Sequence, residues 1–173
     1  MPSTELIIPY ARAEGATGLD NLPTAVTMIT VAAASTGGFY TIPFAVPRDL
    51  DRSRPAFIDV TLIKASGLAP ITAQDVVILT VVNIIAPSFA LQTLTHTTVQ
   101  TIPASWQNNS WVTITPGSPA ATIPAATILD QAVLGVRVRR DGPNPLDTYS
   151  IGLGLFPAVR LRYNRLCHFC TTC

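Results

Sequence analysis

The chain has 173 residues, the size of one domain with a single hydrophobic core. Apolar residues make up 48% of it and charged residues only 12%, about half the ~25% of an ordinary soluble domain. The net charge of +1 excludes a general electrostatic attraction to nucleic acid or to anionic lipid. A surface this poor in charge predicts that much of the outside is buried against other protein subunits.

The N-terminal region predicts neither secretion nor membrane insertion. Residues 1–12 lack the basic start and apolar run of a signal peptide. The longest strongly apolar stretch, Val76–Ala86, is shorter than the ~20 residues of a membrane-spanning helix. We therefore expect a soluble protein made in the cytoplasm. Residues 1–24 are interpreted as an N-terminal arm or loop, which either exchanges between subunits or stays disordered.

The rest of the chain is divided by prolines and turn residues into short runs rich in Val, Ile, Thr and aromatic residues. This pattern is typical of all-β proteins. The spacing favours a single jelly roll or β-sandwich of two antiparallel sheets over residues 25–163, followed by a Cys-rich tail over residues 164–173. The predicted strands, in chain order, are Thr4–Ile8, Ala25–Val31, Phe39–Val46, Ala56–Lys64, Val76–Ile85, Phe89–Val99, Trp111–Thr115, Ala120–Ile128, Gln131–Arg140 and Thr148–Tyr163, the last interrupted at Pro157.

The last two predicted strands show the clearest alternation. In Gln131–Arg140 apolar residues alternate with glycine and arginine, and the run after Thr148 alternates apolar residues with serine and glycine. The segment between them, Asp141–Asp147, is dense in turn-forming residues. Together these features predict a hairpin in which Val138 opposes Ile151.

A candidate interface follows from this hairpin. Its outer face would place Arg137 and Arg139 beside Gly152 and Gly154. The glycines would leave a shallow strip over which another subunit's backbone could lie. The alternative is that they mark a bulge in a bent strand, a reading that Pro157 supports.

The sequence contains no recognisable catalytic or cofactor motif. Its two histidines, His96 and His168, stand outside nucleophile and metal patterns, and its acidic residues are scattered singly. His96 lies in a threonine-rich run that reads as a half-exposed strand, where we expect surface hydrogen bonding. We therefore predict that the protein is not an enzyme and has no cofactor.

All three cysteines, Cys167, Cys170 and Cys173, fall in the last seven residues together with His168. An odd number of cysteines near a chain end favours either a disulfide between subunits or free thiols. Three thiolates and an imidazole are also a zinc ligand set, which would be needed for a metal-dependent enzyme. Because one tail would have to wrap the ion alone, we predict no metal and retain the three cysteines as the candidate inter-subunit disulfide.

The two tryptophans, Trp106 and Trp111, bracket a polar loop. Exposed aromatic rings on the rim of a β-sandwich stack on sugars or anchor an interface. The alternative for Trp111, at the start of a strand, is packing in the core.

As a whole, the sequence resembles the small major capsid protein of the tailless icosahedral phages with an internal membrane that infect Thermus. The resemblance rests on the chain length, on the single jelly-roll pattern over Phe39–Tyr163, and on the segments Leu134–Arg140 and Tyr149–Leu155. It implies a jelly roll standing upright in a virion shell that is assembled in the cytoplasm of a thermophilic host. It also implies homo-oligomers that pack with a second, larger capsid protein above an internal membrane, with no specific nucleic acid as a partner and no catalytic residues.

A second function stays open. The segment Arg139–Tyr149 is similar to hairpins in carbohydrate-binding-like β-sandwiches of phage fibres. A receptor- or carbohydrate-binding module would need Trp106, Trp111 and Tyr149 to cluster on one exposed rim.

Overall fold

The computed structural model describes residues 3–15, 17–21, 27–64, 72–88, 90–104, 106, 111–114 and 120–166. These ranges form twelve strands and one turn of 3-10 helix, Ala125–Thr127. The strands are β1 Ser3–Gly15, β2 Thr17–Asn21, β3 Thr27–Val31, β4 Thr36–Thr41, β5 Phe44–Ala45, β6 Ala56–Lys64, β7 Gln74–Ile85, β8 Leu91–Ile102, β9 Trp111–Ile114, β10 Ala121–Ile123, β11 Val133–Asp141 and β12 Leu153–Asn164.

Eight of these strands form two antiparallel sheets in the connectivity of a jelly roll. Sheet I has the order β3-β12-β6-β9, with β10 on the same edge of β6 as β9. Sheet II has the order β4-β11-β7-β8. The chain crosses between the two sheets at most connections, and β7 and β8 form a hairpin within sheet II. The predicted fold class is confirmed.

The remaining strands extend these sheets. The first half of β1 pairs with β12 in sheet I, and its second half pairs with β4 in sheet II after a register shift between Tyr10 and Arg12. Strand β2 adds to β3, and the short β5 pairs with β11.

One hydrophobic core lies between the two sheets. It contains alternate residues of every long inner strand, such as Ile58 and Leu161 from sheet I and Phe39 and Val138 from sheet II, all fully buried. Burial of these side chains is the main favourable contribution to folding. Within the described part of the chain, no helix has the length and apolar character needed to cross a membrane.

The predicted strand bounds agree well where alternation is strong. The prediction Ala56–Lys64 coincides with β6, and Gln131–Arg140 overlaps β11. Strand β12 runs through Pro157 without ending, but its pairing with β6 shifts between Leu155 and Val159. Residues 156–158 therefore stand opposite Thr61 alone, which is a bulge of the kind that Pro157 suggested.

The predicted hairpin between the last two strands is wrong. Val138 on β11 lies opposite Phe39 and Thr80 in sheet II, whereas Leu153 on β12 lies opposite Val31 and Lys64 in sheet I. The segment between β11 and β12 crosses from one sheet to the other. Alternation assigns each residue to a face, and turn residues mark a change of direction, but neither specifies the neighbouring strand.

The predicted arm over residues 1–24 also needs correction, because Ser3–Gly15 is a strand of the body that joins both sheets. Of its described side chains only Ile8 is buried. The predicted strand Thr4–Ile8 lies within β1 and is confirmed. The remainder of β1 was not predicted, because it is held chiefly by backbone hydrogen bonds and carries little of the apolar pattern from which a strand is predicted.

Candidate assembly surfaces

The four residues of the candidate interface lie on different sheets. Arg137 and Arg139 point outward from β11 in sheet II. Gly154 lies in sheet I and is buried, and a Cβ atom placed there would come within 2.7 Å of the Met28 sulfur. Gly152 precedes β12 and has space for a Cβ atom, with Val31 O the nearest atom at 3.5 Å. The predicted strip of arginines beside glycines is therefore not formed.

On the outer face of sheet II, Arg137 belongs to a polar cluster. Strand pairing places Arg12, Tyr40 and Arg137 in one row across β1, β4 and β11. The guanidinium carbons of Arg12 and Arg137 lie 4.6 Å and 5.4 Å from the centre of the Tyr40 ring. Arg137 Nε donates a hydrogen bond of 2.7 Å to Glu14 Oε1, which raises the pKa of the guanidinium. These groups largely satisfy one another, and the two arginines lie over the Tyr40 ring.

Arg139 is placed differently, opposite Gly38 and Leu79 on the same face. Its Nε atom is buried and has no hydrogen-bond partner among the described residues. It remains a candidate interface residue for which the described part of the chain supplies no partner.

The sequence interpretation missed the role of Arg140. Its side chain is fully buried, and its Nε donates to Asp147 Oδ2 at 2.9 Å while Nη1 donates to the Ile151 carbonyl at 2.9 Å. Nη2 donates to Asp147 Oδ1 at 2.6 Å and also to the Tyr149 carbonyl. One guanidinium thus holds the segment that crosses between the sheets. The sequence could have predicted this burial, because residue 140 is two positions from the buried Val138 and therefore lies on the same face of the strand.

The aromatic rim required for sugar binding is not formed by Trp106 and Tyr149. Both side chains are buried, with 5% and 1% exposure, and their ring centres are 6.2 Å apart. Burial also raises the pKa of Tyr149. The side chain of Trp111 lies outside what the structure describes.

Apolar side chains are exposed on the outer face of sheet II instead. Cross-strand pairing aligns Ala45, Val133, Ile85 and Leu91 in one row across β5, β11, β7 and β8. Ile85 is 39% and Leu91 64% exposed. The row therefore ends in a large apolar side chain at the edge of the sheet.

Strand β8 forms that edge. It pairs with β7 over twelve consecutive residues without a bulge, and in the described part of the chain no strand pairs with its other side. Its sequence contains no Asp, Glu, Lys, Arg or Pro. The expected half-exposed character is confirmed, since residues 91–100 are exposed or partly exposed. His96 does not fully match its expected role, because its Nε2 atom is buried without a described hydrogen-bond partner.

A small cavity lies on the outer face of sheet I, at the β12 bulge. Its volume is about 40 Å³, room for only a few water molecules. It is lined by Ile7, Asp59, Phe156 and Arg160, among others. Asp59 Oδ2 accepts a hydrogen bond of 3.2 Å from Arg162, while Oδ1 is buried without a described partner and water in the cavity would satisfy it. The space is too small for a sugar ring.

Metal ligands are not brought together in the described residues, where no group of three His, Cys, Asp or Glu side chains could hold an ion. Cys167, His168, Cys170 and Cys173 lie outside the described residues. The inter-subunit disulfide therefore stays a prediction.

The chain matches no protein-family model and no curated protein sequence. Among solved structures it is similar to the CBM22-2 xylan-binding domain of Paenibacillus barcinonensis Xyn10C, with 11% identity, a TM-score of 0.45 and coverage of 92% of this chain and 99% of that one. It is similar to the C-terminal family 22 carbohydrate-binding module of Clostridium thermocellum Xyn10B, with 15% identity, a TM-score of 0.42 and coverage of 95% and 87%. A chain of infectious bursal disease virus, Gx strain, has 7% identity and a TM-score of 0.41, and the match covers 94% of this chain but only 33% of the viral one. At TM-scores below 0.5, these likenesses carry no argument about function.

Proposed function

We propose that the protein is a structural coat protein, without enzymatic activity, that assembles with copies of itself and with a second, larger capsid protein into the icosahedral shell of a virion. The observation that carries the proposal is the number of large apolar side chains on the surface of so small a domain. Nine of them are exposed among the described residues, namely Leu6, Ile7, Ile42, Ile85, Leu91, Val99, Leu129, Leu146 and Leu166.

The distribution of these side chains supports assembly over ligand binding. They lie on both sheets and on the connecting segments, so no single concave site gathers them. A shell subunit needs contacts on several sides, whereas a ligand-binding module needs one lined pocket. With charged residues at 12% of the chain, neighbouring copies would meet little like-charge repulsion.

The anchored connections support the same proposal. A shell requires that each copy present its contacts in the same geometry. Arg140 holds the crossing segment through four hydrogen bonds, and Val46 N donates to the Ala132 carbonyl at 2.9 Å where the chain leaves β5. Connections anchored in this way keep subunit contacts in fixed positions.

The second candidate, a receptor- or carbohydrate-binding module, has less support. Two of its three required aromatic side chains, Trp106 and Tyr149, are buried against each other. A sugar could stack on them only if the core opened.

Light scattering behind a sizing column, over about a hundredfold range of protein concentration, tests the proposal. We expect a mass that rises from dimers to larger species, in which electron microscopy finds shells or sheets. Addition of the larger capsid protein should increase the shell fraction. A strict monomer at every concentration would exclude self-assembly, and glycan binding by that monomer would favour the second candidate.

The matched control for the cysteine tail is the variant Cys167→Ser/Cys170→Ser/Cys173→Ser. If a disulfide links subunits, reductant and this variant should lower the mass to the same extent. If neither changes the mass, non-covalent contacts alone hold the assembly together.

A further inference from the structure

We infer that β8 pairs antiparallel with β8 of a second copy about a two-fold axis, which joins two copies of sheet II into one continuous sheet. The inference rests on the proposed function, since it names the surface through which two subunits first associate. An edge strand has free backbone N–H and C=O groups, which form hydrogen bonds with any compatible strand that reaches them.

Strand β8 lacks each of the devices that normally protect such an edge. Edge strands are kept apart by shortness, by charged side chains, by proline or by a bulge. Strand β8 has twelve residues, an unbroken register against β7, and no charged residue or proline. Its one titratable residue is His96.

The other sheet edges of the described chain do carry such protection. In sheet I, β9 has four residues and β10 has three, and β10 is followed directly by Pro124. On the opposite edge, β2 has five residues and contains Asp20. Only β8 offers a long and neutral edge within the described residues.

The two faces of β8 fit a two-fold axis perpendicular to the sheet. Such an axis keeps the outer face of both copies on the same side, so outward residues must oppose outward residues. These are Thr93, Thr95, Thr97, Thr101 and the 45% exposed Val99, with Leu91 at the end. Where Thr95 lies opposite Thr97, the two side chains are complementary, because a threonine hydroxyl both donates and accepts.

The position of the free edge sets the position of the axis. Residues 91–100 are exposed or partly exposed, whereas Ile102 is buried in the core beside β10. Pairing centred between Thr95 and Thr97 would use this free part in both copies. A neutral strand favours a neutral partner, because a charged side chain laid beside it would lose water without gaining an ion pair. On this chain the matching edge is β8 itself.

The first test is the variant Thr95→Lys/Thr97→Lys. Both side chains are exposed on the outer face, so the fold tolerates lysine there, but near the axis four lysines would converge from two copies. We expect the dissociation constant of the dimer to rise at least about tenfold in light scattering or analytical ultracentrifugation. The control Ala32→Lys/Ala126→Lys adds the same charge at exposed positions away from β8 and should leave the dimer unchanged.

The second test uses the unmodified protein. Successive amides of an edge strand point alternately to the neighbouring strand and to solvent, so those on the free side of β8 should exchange with deuterium within the monomer. At concentrations where the dimer forms, these amides should become protected, while the amides of β2 and β10 should be unaffected.

The outcomes separate the two proposals. If the unmodified protein is a monomer at every concentration, the proposed function fails, and this inference fails with it. If a dimer forms, resists the lysines on β8 and leaves the free-side amides of β8 unprotected, this inference alone is overturned. If those amides become protected only when the larger capsid protein is added, β8 binds that partner and the second copy is excluded as its occupant.

Discussion

At the scale of single residues, the segment that crosses between the sheets is held by buried charged side chains. The side chains of Arg140 and Asp147 are both fully buried, and each satisfies the charge of the other. A buried pair of this kind contributes little net stability over apolar packing, but removal of one partner leaves an uncompensated charge. The pair therefore serves to hold the crossing segment in place.

Replacement Asp147→Asn should lower the free energy of unfolding by about 3–5 kcal/mol, because the Arg140 guanidinium would stay buried without its counter-charge. Urea unfolding followed by circular dichroism measures the change. The matched control is Glu5→Gln, which removes the 3.3 Å ion pair with Arg160 on the surface. The control should change stability by no more than about 1 kcal/mol. Equal effects of the two replacements would contradict the structural role of the buried pair.

The raised pKa values of two buried tyrosines predict that the protein loses stability at alkaline pH. Burial raises the pKa of Tyr149 and of Tyr163. The folded state therefore holds both phenol protons more tightly than the unfolded state does. This contribution is complete below the ordinary tyrosine pKa of about 10 and is lost as pH rises through the folded-state pKa values. Urea unfolding from neutral pH to above about pH 10 should show the decline.

Tyr149→Phe should weaken this alkaline decline, and near neutral pH it should leave stability unchanged or slightly higher. The reason is that the Tyr149 hydroxyl is buried with no hydrogen-bond partner among the described residues. The control Tyr163→Phe should instead cost about 1 kcal/mol at neutral pH, because it removes a 3.1 Å hydrogen bond to Asp49. A large loss of stability in Tyr149→Phe would mean that its hydroxyl has a partner.

At the scale of elements, β12 is the strand on which sheet I depends. It pairs with β6 along one side and with β3 and then β1 along the other, and the bulge at residues 156–158 separates these two halves. Gly154 lies just before the bulge, next to a small buried cluster formed by Met28 and Ile63 of the neighbouring strands. The glycine is therefore needed for close packing on the outer face, and it is not available as a docking strip.

Gly154→Ala should destabilise the protein by about 1–3 kcal/mol, because the new methyl group would lie 2.9 Å from the backbone carbonyl of Ile63, which cannot easily move. Two controls test whether the effect is local. Gly152→Ala and Gly135→Ala have room for the methyl group, and each should change stability by less than about 0.5 kcal/mol. Thermal unfolding of the three variants compares them directly. Similar destabilisation in all three would contradict the packing argument, because only Gly154 lacks room for the methyl group.

At the scale of the whole molecule, two surfaces are candidates for the proposed self-association. The edge and apolar row of sheet II are neutral, while the cluster around Tyr40 and the Glu5–Arg160 pair are charged. These surfaces respond in opposite ways to salt, since salt screens exposed charges and leaves apolar burial intact or stronger. Salt dependence therefore reports which surface is used.

The proposed dimer should persist undiminished from low salt to about 1 M sodium chloride, where the screening length falls to about 3 Å. Sedimentation velocity over that range measures it. A control at each salt concentration is the Thr95→Lys/Thr97→Lys variant, whose residual dimer should become stronger as salt screens the added lysines. Dissociation of the unmodified dimer at high salt would assign the contact to the arginine cluster and not to β8.

The sequence by itself determined the composition of the surface, the fold class and most of the strands. Alternation in β11 reports burial on one face, which is a local property of the chain. In β1 the sequence predicted only Thr4–Ile8, because the rest of the strand is exposed or partly exposed and is held by backbone hydrogen bonds. The inward-facing position of Arg140 could also be predicted, because it follows from the same alternation.

Only the tertiary structure decided which strands are neighbours, and hence where the candidate surfaces lie. Arg137 and Gly154 are separated because β11 and β12 lie in different sheets. Trp106 and Tyr149 are buried because both rings pack into the core and against each other. The sequence of β8 shows that the strand is uncharged, but it does not show that the strand lies at the edge of a sheet. Pairing between strands distant in the chain depends on the free energy of the whole packed core, which no local pattern contains.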